Sequence, residues 1–125
     1  MIIKQYFLLF AFVAVSIIAL LYGISPNWFA KTFLGLDQID TNIAHILRAV
    51  MGLYLAFGVF WCFAAFRKNL RDPAILTTIV FSAGLVSGRI ISLSIEGAPS
   101  PLLVFYMAIE FALIPTATYI YRLPD

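Results

Sequence analysis

Charged side chains are scarce in this sequence, at 11% of 125 residues, with Lys and Arg numbering 8 and Asp and Glu 6. Soluble domains carry about a quarter, so a globule this size could not cover itself with a water-facing surface. The net charge of +2 comes without a basic patch interleaved with exposed aromatics, which removes nucleic-acid binding. The single cysteine, Cys62, excludes an intrachain disulfide and a CxxC redox pair. Within its apolar run it reads as a small buried residue. The single histidine, His45, has no convergent ligands around it, so no metal site is assigned. Glycine-rich phosphate loops and nucleophile–base pairings are absent too. His45, Tyr106 and Glu110 can transfer protons, but nothing positions a substrate against them. The expectation leans away from an enzyme, with no catalytic residue and no cofactor.

What the sequence has in abundance is apolar length, 63% of it hydrophobic. Four runs, at approximately 4–24, 43–66, 73–95 and 101–121, approach or exceed the roughly 20 residues that cross a bilayer core. The first follows a basic start as a signal peptide does, but no A-x-A-like site follows it and Pro26 would sit next to a cut after Ser25. It reads as a retained span. A lipid-facing backbone must satisfy its own hydrogen bonds, and the runs lack the alternation of barrel strands. The expected fold is therefore an all-α, four-transmembrane-helix bundle forming one integral membrane domain over residues 1–125. Asp72-Pro73 and Ser100-Pro101 each read as an N-cap followed by proline at the first helical position. Residues 97–101 form a tight turn, which makes the third and fourth spans antiparallel neighbours.

Basic residues set the orientation. With both termini cytoplasmic, Lys4, Arg67, Lys68, Arg71 and Arg122 lie inside and only Lys31 lies in an outer loop. Between the first two spans, Trp28, Phe29, Phe33, Leu34 and Leu36 around Lys31 suit a short helix in the headgroup layer. The acidic stretch from Asp37 then supplies caps for the second span.

Arg48, Arg89 and Glu110 fall within the spans, where a charge costs at least about 2.5–3.5 kcal/mol to insert. At about 1.5 Å of rise per residue, they lie roughly 8, 10–12 and 13 Å from the outer ends of their spans. Helical spacing puts His45, Arg48 and Gly52 on one face of the second span. It puts Ser82, Arg89, Ser92 and Glu96 on one face of the third, and Tyr106 with Glu110 on the fourth. Facing inward together, they would form a pocket with two guanidinium groups and one deep carboxylate, Glu96 at its rim. This cluster reads either as a structural bridge or as a site for an anionic lipid or amphiphile, drawn by surplus positive charge. Gly84, Gly88 and Ser92 form a small-xxx-small stripe for helix packing, and Gly52, Ala56 and Gly58 allow similar contact. Pro115 removes one helix hydrogen bond and frees the Phe111 carbonyl, with Thr116 and Thr118 placed to compensate.

The strings RAVMGLYLAFGVFW (Arg48 to Trp61) and GLVSGRIISLSIEGAPSPLLVFYMAIE (Gly84 to Glu110) resemble a bacterial family of small four-helix membrane proteins, domain of unknown function 4345. The resemblance covers about two thirds of the chain and rests on Arg48, Gly52, Gly88, Arg89, Ser92, Gly97, Pro99 and Glu110. Glu96 stands where the family pattern implies Asp. The resemblance implies the topology and a bacterial inner-membrane setting, and no activity. Short loops and abundant aromatics then favour an accessory subunit of a larger membrane complex, or a homo-oligomer. The alternative is a protein that binds or transports a lipid or small amphiphile through Arg48, Arg89 and Glu110.

Overall fold

A computed structural model describes residues 2–124, and among them there are five helices and no strand. They are α1 (Ile2–Gly23), α2 (Pro26–Phe33), α3 (Thr41–Ala65), α4 (Lys68–Ile95) and α5 (Pro101–Tyr121). The four long ones have mean hydropathies of 2.4, 1.8, 1.8 and 1.6 and are long enough to cross a bilayer. The chain is a multi-pass, all-α membrane protein. The short α2 stands where the sequence places a helix between the first two spans, with Phe29 buried and Trp28 half exposed.

Local chemistry explains most helix ends. Ser25 accepts from the Trp28 N–H ahead of Pro26, and Asp40 Oδ1 accepts from the Ile43 N–H at 2.9 Å, as the acidic stretch predicts. Gly97, with φ of 88°, takes the left-handed conformation that ends α4 and turns the chain toward Ser100-Pro101. Ser100 is the N-cap of α5 and Pro101 its first residue, but the serine side chain makes no capping bond.

The start of α4 differs from the expected Asp72-Pro73 cap. Arg67 is the N-cap, and Pro73 lies inside the helix. Pro73 cannot donate to the carbonyl four residues back, that of Asn69. Asn69 is exposed at the helix end, so this vacant acceptor is not sealed in the core and the helix continues through the proline. Asp72 is then free for a different task. Its Oδ1 accepts from Lys4 Nζ at 2.5 Å, and Lys4, expected as a flanking surface charge, is only 1% exposed. The same ammonium approaches the Tyr121 carbonyl at 3.5 Å. One lysine thus ties the start of α1 to the start of α4 and the end of α5.

Packing centres on α1, which lies most extensively against α3 and also touches α4 and α5, while α4 and α5 pair with each other. Gly58 of α3 allows a close approach: a Cβ there would stand 3.0 Å from Val15 Cγ1 and 3.2 Å from Ser16 Oγ. At the other end of α1, a Cβ on Gly23 would meet Met51 Cβ at 2.5 Å. These contacts turn Met51, Tyr54, Gly58 and Trp61 of α3 toward α1 and α4. Trp61 is 1% exposed, and its indole N–H donates to Thr77 Oγ1 at 2.9 Å. In α5, Thr116 and Thr118 donate to Ala112 and Ile114. Neither takes up the Phe111 carbonyl, which the sequence assigns to them; each hydroxyl reaches the carbonyl four residues before its own position.

Candidate functional site

The antiparallel hairpin of α4 and α5 sets Arg89 opposite Glu110. The pair is bidentate: Arg89 Nε donates to Oε1 at 2.6 Å and Nη2 to Oε2 at 3.2 Å. The two side chains are 18% and 11% exposed. A fork-to-fork arrangement of this kind fixes register as well as neutralising both charges. Three buried tyrosines close around it from three helices: Tyr22 at the end of α1, Tyr54 of α3 and Tyr106 of α5. The Tyr22 ring stands 6.0 Å from Tyr54 and 5.9 Å from Tyr106, centroid to centroid, both edge-on. The Tyr22 hydroxyl lies against the Arg89 guanidinium, whereas the Tyr106 hydroxyl, one turn before Glu110, has no partner among the described residues. The aromatic rings shield the pair on the α1 and α3 side.

The structure brings together only part of the expected cluster. Arg89, Glu110 and Tyr106 meet. Arg48 does not join them: it is exposed, and its Nε donates to the Gly23 carbonyl at 3.4 Å, satisfying an acceptor at the end of α1. His45, one turn earlier, and Gly52, one turn later, are exposed as well. The close approach of α3 to α1 at Gly58 selects the Tyr54–Trp61 face of α3 and turns the Arg48 face outward. The surplus of two guanidinium groups over one deep carboxylate therefore does not exist at this site. Tyr22 and Tyr54 belong to it instead. The signal for Tyr54 is its spacing of four from Gly58 and seven from Trp61; Tyr22 carries no such signal.

Beside the pair lies a cleft of about 600 Å³ between α4 and α5, lined by Gly84, Gly88, Arg89, Ser92, Glu96, Met107 and the 97–99 turn among others. Gly84 and Gly88 do not pack against another helix of the chain: a Cβ at either would meet nothing within 4 Å. They form the floor of the cleft, with Arg89 between them and its upper end. Ser92 and Glu96 stand exposed at that upper end. Ser87 and Ser94, elsewhere on α4, bond back to the Ala83 and Ile90 carbonyls at 2.7 and 3.0 Å. Ser92 makes no such bond, and Glu96 is in no ion pair among the described residues. On the inner side of the pair, a cavity of about 50 Å³ is bordered by Tyr54, Trp61, Ser82 and Glu110. Ser82 is fully buried there without a hydrogen-bond partner among the described residues. Among the described residues, no three His, Cys, Asp or Glu side chains converge as metal ligands would.

No curated protein and no solved structure matches the chain. The family model described as domain of unknown function DUF4345 matches residues 3–121. That span takes in all four long helices, the Arg89–Glu110 pair and the α4–α5 cleft, and the chain belongs to this family.

Proposed function

We propose that this is a protein of the bacterial inner membrane, with both termini cytoplasmic, that binds an amphiphile in the cleft between α4 and α5. The orientation rests on charge. Lys4, Asp72 and Tyr121 share one end of the bundle, and Arg67, Lys68, Arg71 and Arg122 belong to the same end. Lys31 of α2 is at the other, and the basic end faces the cytoplasm.

The observation that carries the binding reading is the polarity gradient along an open cleft. From Gly84 to Glu96 it runs about 18 Å along α4, close to the depth of one leaflet of a core about 30 Å thick. Its deep end, Gly84, Leu85 and Gly88, is wholly apolar; its polar groups, Arg89, Ser92 and Glu96, all lie from mid-depth to the shallow end, beside Leu93, Leu103, Met107 and the 97–99 turn. That is the polarity profile of a lipid or detergent-like molecule standing in the outer leaflet, and the volume falls within the usual range for ligand pockets. A partner helix of an accessory assembly would use the glycine floor but would have to bury Ser92 and Glu96.

The test is lipid retention in native mass spectrometry after extraction from the host membrane, comparing the natural chain with Gly88→Leu. The new side chain enters open space, so the fold stands while the cleft fills. Loss of bound amphiphile supports the reading. Retention of the same adducts, or loss of a stoichiometric protein partner instead, removes it in favour of the accessory role.

A further inference from the structure

Resting on that reading, we infer that the cleft selects an amphiphile whose headgroup carries N–H donors, a primary ammonium in first place, and not an anionic one. The charges decide it. Among the described residues Arg89 is the one cation lining the cleft, and both its Nε and its Nη2 are engaged by Glu110. The pair sums to zero, so it offers an incoming anion little beyond the Nη1 and Nη2 hydrogens that Glu110 leaves over. Arg48, the second guanidinium an anion would need, is bound at the end of α1. Glu96 is left as the uncompensated charge of the cleft, and it is negative.

The hydrogen-bonding inventory agrees. Glu96 at the α4 C-cap is acceptor-only when ionised, and its backbone N–H is already committed to the Ser92 carbonyl at 2.7 Å. Ser92 stands one helical turn before it, its hydroxyl unspent among the described residues. At the α4 C-terminus the helix dipole adds further negative character, which favours a cation. An ammonium group standing here meets the Glu96 carboxylate, the Ser92 hydroxyl and the end of the helix together. A quaternary ammonium keeps the charge but has no N–H to give, and a glycerol or phosphate head brings no cation.

The experiment places the full chain in nanodiscs of equal parts phosphatidylethanolamine, phosphatidylcholine and phosphatidylglycerol and counts the lipids that remain on native mass spectrometry. The expected result is enrichment of phosphatidylethanolamine over phosphatidylcholine by about three- to fivefold, the upper part of the range for an exposed charged contact. Glu96→Gln removes that enrichment, and Gly88→Leu removes occupancy itself. Enrichment of phosphatidylglycerol, or an unchanged preference in Glu96→Gln, overturns the headgroup assignment and leaves the cleft as an amphiphile site. Occupancy that survives Gly88→Leu overturns the cleft, and the headgroup assignment falls with it. Helicity by circular dichroism in both variants confirms that the fold is intact.

Discussion

Removing either member of the Arg89–Glu110 pair leaves the other charge in a site built to exclude its surroundings. Two unit charges about 4 Å apart interact by roughly 4 kcal/mol at an effective dielectric constant near 20. Breaking a buried pair from one side typically costs about 3–5 kcal/mol. The side chains here are 18% and 11% exposed, which places Glu110→Leu at the lower end of that range, at about 3 kcal/mol. Arg89→Met costs about 2 kcal/mol, because the open cleft beside it lets surrounding polar groups reach Glu110. The double variant Arg89→Met/Glu110→Leu removes both charges and replaces them with side chains of similar volume. It recovers to within about 1 kcal/mol of the natural chain, since apolar replacement of a whole buried pair is often neutral. Unfolding in mixed micelles by increasing denaturing detergent, followed by circular dichroism and by the buried Trp61 fluorescence, gives all four corners of the cycle. Additive losses, with the double variant the least stable of the set, would refute the coupling and with it the pair's role in setting the register of α4 against α5.

Three further outcomes follow from single contacts. The Tyr106 hydroxyl is buried without a partner among the described residues, so Tyr106→Phe is neutral or stabilises by up to about 1 kcal/mol, and a clear loss in the same titration would show that the hydroxyl is satisfied. Thr77→Val strands the Trp61 indole N–H, bonded at 2.9 Å, and destabilises by about 1–3 kcal/mol with a shift in Trp fluorescence. Gly58→Leu and Gly84→Leu are the same change on two helices with opposite results: the first collides with Val15 and Ser16 and prevents α1–α3 packing, while the second meets open space and leaves the unfolding midpoint within a few tenths of a kcal/mol of the natural chain or above it.

Hydropathy and turn chemistry carry most of the fold on their face. The four spans, the short α2, the Asp40 cap and the Gly97–Pro101 turn all follow from local residue types, because lipid imposes length and backbone satisfaction without reference to neighbours. The Arg89–Glu110 partnership was also within reach, since depth along two antiparallel helices puts the residues at one level. What local reading misjudges is which face of a helix turns inward. In water an apolar stripe marks the buried side; in lipid both sides are apolar, and the buried side is chosen by close packing. Gly58 makes that choice for α3. It draws the Tyr54 and Trp61 face toward α1 and sends Arg48, His45 and Gly52 outward, although Gly52 looks like an equally good packing residue. The same limit applies to Lys4. A basic residue near a span end reads as a flank, and only the position of Asp72 at the start of α4 shows that it is a buried tie.

The placement of the small residues separates two tasks that one sequence pattern conflates. Gly58 is spent on the fold: its missing side chain is filled by Val15, Ser16 and Phe12. Gly84 and Gly88 are spent on nothing within the chain, since no atom occupies the space their side chains would take. Glycine in a helix interior costs up to about 1 kcal/mol relative to alanine, and here no intramolecular contact offsets it. On the proposed reading, the offset comes from the amphiphile in the cleft. Alanine at both positions therefore raises the stability of the isolated chain and lowers its amphiphile occupancy, a trade of opposite signs that a purely structural stripe would not show.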